Sequence, residues 1–313
     1  MLTGTAQITL GRTDIRVAPL GVGTWAWGDQ GYWGYGKTYG EQDINEAFVA
    51  SVNQGITLFD TAETYGGGTS ERLLGKLVRK SRAPVVIATK FAPLPWRLTA
   101  RSLTQALNAS LERLGVPTID LYQIHHPYSI IPIETLMDAL ADAVADGKVR
   151  AVGVSNYNAE QMQRAHAALA KYDIPLASNQ VSYSLLQRTP EGDGVLATCR
   201  DLEVTLIAYS PLAGGLLTGK YTARNRPSGP RFFMSATTNM QHVEHLVATL
   251  RQIGQEHGGK TPAQVAMNWL VAQGNVLPIP GAKNTRQAAD NAGALGWTLT
   301  PAQIEAIAAA TRA

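Results

Sequence analysis

A carboxylate, a phenol, an amine and an imidazole stand at the ends of short apolar runs in this sequence, a combination suited to moving a proton to or from an oxygen. Asp60 closes Leu58-Phe59-Asp60, and Tyr65 follows in the glycine-rich stretch Thr64-Tyr65-Gly66-Gly67-Gly68. Lys90 ends the run Val85-Val86-Ile87-Ala88-Thr89, and His125 ends Ile119-Asp120-Leu121-Tyr122-Gln123-Ile124. Residues leaving β-strands project into one cleft, so the four can meet. Free tyrosine ionises near ~10 and is a poor acid at neutral pH, so a chemical role for Tyr65 requires a nearby cation to stabilise phenolate. Lys90 is the candidate. Taken singly, each residue also has an ordinary reading: Asp60 capping the Thr61 turn, Tyr65 in the core, Lys90 a solvated strand end, His125 a satisfied buried histidine. Their shared placement is what favours chemistry.

The elements that must position them alternate along the chain. Gln7 to Leu10 and Asp14 to Val17 flank Gly11-Arg12-Thr13 and predict a hairpin. Strand-like runs follow at Leu20 to Gly23, Thr57 to Asp60, Val85 to Lys90, Ile119 to His125, Ala151 to Ser155, Ala177 to Val181, Thr205 to Tyr209 and Val276 to Pro280. Helical patterns lie between them at Asp43 to Gln54, Ser70 to Arg79, Thr99 to Leu114, Ile133 to Asp146, Ala159 to Tyr172 and Gly194 to Leu202. Later helices are predicted over His242 to His257, Pro262 to Gln273, from Asn284 or Thr285 to about Ala294, and at the C-terminus. Thr261-Pro262-Ala263-Gln264 and Thr300-Pro301-Ala302-Gln303 each read as a capping box with proline in the first turn. Strict alternation implies parallel strands with crossover helices, and eight such units favour a (β/α)8 TIM barrel with an N-terminal β-hairpin and extra C-terminal helices. No linker interrupts the series, so residues 1–313 are read as a single domain. In this fold active sites lie at the C-terminal ends of the strands, where Asp60, Tyr65, Lys90 and His125 all fall.

Composition narrows the function classes. The 313 residues are 45% hydrophobic with a formal charge of +3 and dispersed basic residues, which supports an ordinary globular protein and no nucleic-acid partner. Cys199 is the sole cysteine, excluding an intrachain disulfide and a cysteine-built metal site. Met1 to Gln7 lacks the character of a signal peptide and no apolar run approaches ~18 residues, so a cytoplasmic protein without a membrane partner is expected, a monomer or weak homo-oligomer.

Three motifs are weighed and largely rejected. Gly21-Val22-Gly23-Thr24-Trp25-Ala26 has the spacing of a dinucleotide fingerprint, but such a fingerprint must open into a helix, and Trp27 to Gly40 reads as a loop. Gly214-Gly215-Leu216-Leu217-Thr218-Gly219-Lys220 has P-loop spacing, but Tyr221 replaces the magnesium-binding hydroxyl and Arg226-Pro227-Ser228-Gly229-Pro230 cannot continue a helix. A glycine-rich loop with a lysine can still hold a pyrophosphate without magnesium. His125-His126 invites a metal, but neighbours on a strand face opposite ways, so no metal is expected.

These residues resemble the aldo-keto reductase superfamily over nearly the whole chain: GVGTW at Gly21, FDTAETYG at Phe59, TKF at Thr89, DLYQIHHP at Asp120, GVSNYN at Gly153, SNQVSYS at Ser178, AYSPLAGGLLTGKY at Ala208 and IPGAKNTRQAADN at Ile279. TKFAPLPWR and PIPGAKN are similar to the cyanobacterial and plant-plastid branch that includes pyridoxal reductase-like members. The resemblance implies a catalytic tetrad of Asp60, Tyr65, Lys90 and His125, with Tyr65 the general acid, Lys90 lowering its pKa, Asp60 orienting Lys90 and His125 polarising a carbonyl. It implies NADPH or NADP+ bound by Thr24 and Trp25, by Ser155, Asn156 and Gln180 at the carboxamide, and by Tyr209 stacked on the nicotinamide. Ser210, Pro211, Leu212, Gly214, Lys220 and Arg231 would follow the phosphates, and Gly281, Lys283, Gln287 and Asn291 the adenosine end. Some family members carry serine and arginine where this chain has Lys283 and Gln287, which bears on NADPH against NADH. Trp25, Trp27, Tyr32, Trp33, Trp96 and His126 would line a pocket for an aromatic or planar aldehyde or ketone. Two other readings stand beside this one: a cofactor-sensing subunit resembling potassium-channel β subunits, and a barrel lyase or isomerase using Lys90 as a Schiff-base amine.

Overall fold

The computed structural model describes residues 6–227, 229 and 238–312. Inward and outward side chains alternate along each strand with a period of two, and this decides what the fold places where. On β4 (Leu58–Asp60), Leu58 and Asp60 belong to the barrel interior while Phe59 packs outward against the helices. On β5 (Val86–Phe91), Ala88 and Lys90 point inward and Ile87 and Phe91 outward. On β6 (Ile119–Ile124), Leu121 and Gln123 are interior and Tyr122 is exterior.

With β3 (Val22–Gly23), β7 (Val149–Ser155), β8 (Leu176–Ser182), β9 (Thr205–Tyr209) and β10 (Val276–Pro278), these strands form an eight-stranded parallel sheet in chain order. Gly21 N–H donates to Pro278 O and Gly23 N–H to Pro280 O, both at 3.0 Å, and these bonds join the first strand to the last and close the barrel. The hairpin of β1 (Ile8–Thr9) and β2 (Arg16–Val17) plugs the N-terminal end, where Leu10, Ile15 and Val17 pack on Leu58, Ala88, Leu121, Ala177 and Ile207. Above this apolar plug the interior turns polar, with Asp60, Lys90, Gln123 and Gln180 buried in that second layer.

Helices α1 (Glu41–Asn53), α2 (Thr69–Ser81), α3 (Arg101–Leu114), α4 (Ile133–Ala145) and α5 (Ala159–Ala170) cover the outside. Both predicted capping boxes form, at Thr261 with Gln264 and at Thr300 with Gln303. Expected and observed boundaries differ by a few residues: α1 and α2 start earlier, β5 continues past Lys90 to Phe91, and β10 stops at Pro278. Three short elements had no apolar period to announce them: the 3-10 turns Tyr65–Gly68 and Ala213–Thr218 and the one-turn helix Thr189–Gly192. Among the described residues no helix is long and apolar enough to cross a membrane, no cluster of His, Cys, Asp or Glu has the makings of a metal site, and Cys199 is buried.

The position of α2 matters most, because it begins where the Tyr65 turn ends. It packs on α3 at Gly75, where an added Cβ would stand 2.0 Å from Leu114 O. We expect Gly75→Ala to destabilise the protein, because overpacking against backbone costs up to ~3 kcal/mol and exceeds the ~1 kcal/mol that alanine gains in helix propensity. Thermal and urea unfolding of the two proteins measure the difference.

Candidate active site

Asp60, 1% exposed at the end of β4, accepts from Lys90 Nζ at 2.5 Å through Oδ1. Its Oδ2 accepts from Gln180 Nε2 at 2.8 Å and Gln123 Nε2 at 3.1 Å. Lys90 is fully buried and also donates to Thr61 O at 2.8 Å, and it reaches Tyr65 Oη at 3.4 Å. Tyr65 is placed by its own turn: Gly66, Gly67 and Gly68 all take left-handed φ of 55°, 61° and 85°, a path that side chains with a Cβ resist. Behind it a hydroxyl cluster ties the strand end to α2, with Thr24 Oγ1 donating to Asp60 O at 2.9 Å and Ser70 Oγ within 2.9 Å of Thr61 Oγ1.

His125 follows β6, its N–H donating to Phe91 O at 2.8 Å, with its ring edge-on to Tyr65 at 5.9 Å between centroids. His126 stacks on it at 4.6 Å. The ring atom Nδ1 of His125 is buried with no protein partner. Burial, then Lys90, then His126 push the His125 pKa down to about 2, so the imidazole is neutral at physiological pH. Tyr65 moves the other way. Burial raises its pKa above the usual phenol value, and Lys90 pulls it down only in part because Asp60 and Tyr209 oppose it. Lys90 thus pulls on the Tyr65 pKa in the direction expected from sequence, while desolvation sets the net sign. Burial would lower the pKa of Lys90, but Asp60 and Tyr65 more than compensate and the ammonium is retained.

A cavity of about 410 Å³ opens over these groups. It is lined near Tyr65 and His125 by Trp25, Tyr32, Trp33 and His126, and farther on by Tyr209, Lys220, Lys283 and Asn291. Trp25 stacks on Tyr32 at 4.9 Å and lies 6.4 Å from the Tyr65 ring, so the mouth around the phenol is aromatic. The other half is polar. Asn156, itself left-handed at φ 61°, accepts from Tyr209 Oη at 3.1 Å and donates to His125 O at 3.2 Å, and Ser155 Oγ donates to Gln180 O at 2.8 Å. Ser210, Ala213, Gly214 and Gly215 take positive φ in a tight turn that brings the backbone against the cavity, closed by Ala213 N–H to Ser210 O and Gly215 N–H to Leu212 O, both at 2.9 Å. Lys220 sits against this turn, and Lys283 N–H donates to Gln287 Oε1 at 2.9 Å just before the helix Thr285–Ala292. Lys283 Nζ lies over the rings of Tyr39 at 4.8 Å and Trp33 at 5.3 Å.

Most of the residues expected from sequence line this one cavity, including Ser155, Asn156, Gln180, Pro211, Leu212, Gly214, Gly281 and Gln287. Four expectations need correcting or restricting. Trp27 is 0% exposed, its indole N–H donating to Ala282 O at 2.8 Å and its ring against Phe59, so it is core and not pocket wall. Trp96 is 72% exposed and outside the cavity, because Arg97 pairs with Glu63 through two bonds of 2.5 and 2.9 Å and fixes that loop away from the wall. Thr24 is buried and spends its hydroxyl on Asp60 O and Ser70 rather than on the cavity. Arg231 lies outside the described residues. Gly215 and Thr218 of the glycine-rich loop also line the cavity, and sequence reading did not single out Asp290 in its wall or Gln123 beneath it. The signal for Gln123 was a polar side chain at the inward register of an otherwise apolar strand.

The chain is similar to known proteins along almost all of its length. Residues 19–312 match the Aldo/keto reductase family. A chloroplastic pyridoxal reductase from Arabidopsis thaliana is 43% identical over 299 residues, covering 91% of this chain and 81% of the relative. An aldo-keto reductase of Schizosaccharomyces pombe whose name carries NADP(+) is 32% identical, covering 85% of this chain and 82% of the relative. Among solved structures, a glycerol dehydrogenase of Gluconobacter oxydans superposes with a TM-score of 0.85 at 28% identity, covering 98% of this chain and 95% of that one. An aldo/keto reductase of Klebsiella pneumoniae solved with NADP and acetate gives 0.76 at 28% identity, covering 96% and 94%.

The depressed His125 pKa carries a stability consequence. The unfolded chain takes up this proton below ~6.5 while the folded protein refuses it down to about 2, so stability is lost as pH falls through that window, by at most ~1.4 kcal/mol per pH unit. We expect His125→Gln to flatten the decline in melting temperature between about pH 6.5 and pH 4, read by calorimetry across that range.

Proposed function

The chain belongs to the aldo/keto reductase family, and from that membership we propose that it reduces an aromatic or planar aldehyde or ketone, pyridoxal being the leading candidate, to the alcohol with Tyr65 as proton donor. It is an NADP-dependent oxidoreductase. The observation that carries the mechanism is the line Asp60–Lys90–Tyr65, which ends on a phenol in the wall of the cavity.

The residues present fit the cofactor: Lys220 beside the Ser210–Gly215 turn, and Lys283 just before a helix start, line the same cavity as Asp60, Tyr65 and His125. Lys220 and the Ser210–Gly215 turn would hold the pyrophosphate, Lys283 with Gln287 and Asn291 the adenosine 2′-phosphate end, Tyr209 the nicotinamide face, and Ser155, Asn156 and Gln180 its carboxamide. When bound, NADPH supplies the hydride. The protein's part is the proton. Tyr65 holds its phenolic proton at rest, and as negative charge develops on the carbonyl oxygen it releases that proton to it. Lys90, 3.4 Å away, stabilises the phenolate left behind, and Asp60 keeps the ammonium charged and aimed. Neutral His125 supplies a polarising N–H contact to the oxygen without competing for the proton. The Trp25, Tyr32 and Trp33 rings support a flat apolar substrate. The pyridoxal reading is supported by the 43% identical relative together with this aromatic wall.

The Schiff-base alternative asks for an amine that can shed its proton. Lys90 is instead sealed from solvent, bonded to Asp60 and Thr61 O, with a raised pKa.

Steady-state NADPH oxidation over a carbonyl panel that includes pyridoxal tests the proposal. Tyr65→Phe should lower kcat by ~100-fold or more while NADPH binding is kept. Tight cofactor binding with no turnover of any carbonyl would sink the reductase reading and favour the cofactor-sensing one. A second expectation concerns the cofactor: Lys283→Met should weaken NADPH by ~10-fold or more and leave NADH nearly unchanged, since only the former carries the 2′-phosphate. Fluorescence titration of both cofactors reads the difference, and equal losses would remove Lys283 from that role.

A further inference from the structure

We propose that Gln123 is a positioning residue of the proton donor, acting on Tyr65 through Asp60 and Lys90 by occupying the second oxygen of the Asp60 carboxylate. The proposal rests on the reading of Tyr65 as the proton donor given above.

Gln123 is fully buried and does not itself line the cavity. Its Nε2 donates to Asp60 Oδ2 at 3.1 Å, beside the 2.8 Å bond from Gln180, and its Oε1 accepts from Ser178 Oγ and from Gln180 Nε2, each at 3.4 Å. The strand register places these groups on one level of the barrel: Lys90 pairs with Gln123, Gln123 with Gly153, and Gly153 with Ser178. Gly153 is what lets the flanking side chains approach, since a Cβ there would stand 2.3 Å from Ser178 Oγ and 3.1 Å from Gln123 Cγ. A glutamine held at both ends across a glycine gap has one amide face left to offer, and it offers that face to Asp60.

The consequence follows from how carboxylates behave in low dielectric. Each oxygen must be met by a donor, and a buried oxygen left unmet turns toward the strongest donor in reach. Here that donor is Lys90. If the Asp60 carboxylate rolled to share both oxygens with the ammonium, Nζ would be drawn off Tyr65, already 3.4 Å away, and the phenolate would lose its support. Gln123 and Gln180 prevent the roll by holding Oδ2 toward the barrel interior. The ionisable groups around this point are Lys90 on β5, Tyr65 after β4, His125 and His126 after β6, and Tyr209 on β9.

The test uses Gln123→Met and Gln123→Glu in the full chain, beside wild type and Tyr65→Phe, with NADPH and the best carbonyl of the panel. Gln123→Met should lower kcat ~10-fold or more from about pH 6 to about pH 9 with KM and NADPH affinity within ~2-fold of wild type. Gln123→Glu distinguishes positioning from mere packing. Its carboxyl is protonated at the acidic end and donates O–H to Asp60 as the amide did, so activity there should approach wild type; as pH rises it ionises against Asp60 and kcat should fall along a limb that wild type lacks. A packing role alone would lower the melting temperature and scale activity equally at every pH. Wild-type kcat in Gln123→Met, or a Gln123→Glu profile parallel to wild type, would overturn the proposal, and the glutamate profile decides it even if the methionine variant fails to fold. Absence of turnover in wild type itself would overturn the underlying reductase reading, and is told apart because no variant then differs from Tyr65→Phe.

Discussion

The site depends on an ion pair that has been taken out of water. Bringing the Asp60 carboxylate and Lys90 ammonium into a barrel interior costs several kcal/mol per ion after relaxation, and their attraction offsets this only when every remaining lone pair and proton is met. The structure meets them one by one: Thr61 O takes a lysine proton, and two glutamine amides cover the second carboxylate oxygen. An apolar pair would pack such an interior at least as well. What the ions contribute is a fixed direction, because a fully bonded lysine has one place left to point, and Tyr65 is there.

The fold supplies that direction through strand register. Lys90 and Gln123 share a level because β5 and β6 pair Lys90 with Gln123, and Asp60 reaches them from the strand before. The apolar plug beneath, closed by the N-terminal hairpin, keeps water from entering from below. The Tyr65 turn completes the arrangement from outside the sheet, held to the strand end by the Thr24, Thr61 and Ser70 hydroxyls and to α3 through the close contact at Gly75. Residues far from the chemistry thus set whether the phenol and the amine meet.

What could be read from the sequence, and what could not, divides along physical lines. Alternation of apolar runs gave eight strands and their order, and it placed Asp60, Tyr65, Lys90 and His125 at one end, because period and spacing are properties of the chain itself. Direction of side chains within a loop is not. Trp25 and Trp27 differ by two residues, yet one lines the cavity and the other is core, since the loop turns between them and Ala282 O takes the Trp27 indole. Trp96 was lost to the cavity through a neighbour, Arg97, whose pairing with Glu63 spans 34 positions of sequence. The net Tyr65 pKa lay beyond the sequence for a related reason: a cation can be named from a sequence, but the depth of burial that outweighs it is a property of the assembled barrel.

That raised pKa and the lysine beside it are compatible, and the reason is charge balance. Lys90 does not act as an isolated cation, since Asp60 lies at 2.5 Å and the pair presents to Tyr65 a dipole with its positive end forward. A net cation would ionise the phenol in advance and leave nothing to donate. A dipole is weaker than the desolvation it opposes, so the phenol keeps its proton at rest, and under the proposed mechanism the ammonium at 3.4 Å would lower the cost of losing it once charge appears on an acceptor. His125 follows the same logic from the other side: burial and Lys90 keep it neutral, so beside it in the cavity wall the phenol is the better proton source. The aromatic rings at the mouth add to both effects by making the surroundings of the phenol apolar. On the proposed mechanism the buried pair and the apolar rim act as one design, in which low dielectric holds the proton on Tyr65 at rest and would make the aimed ammonium effective at the moment of transfer.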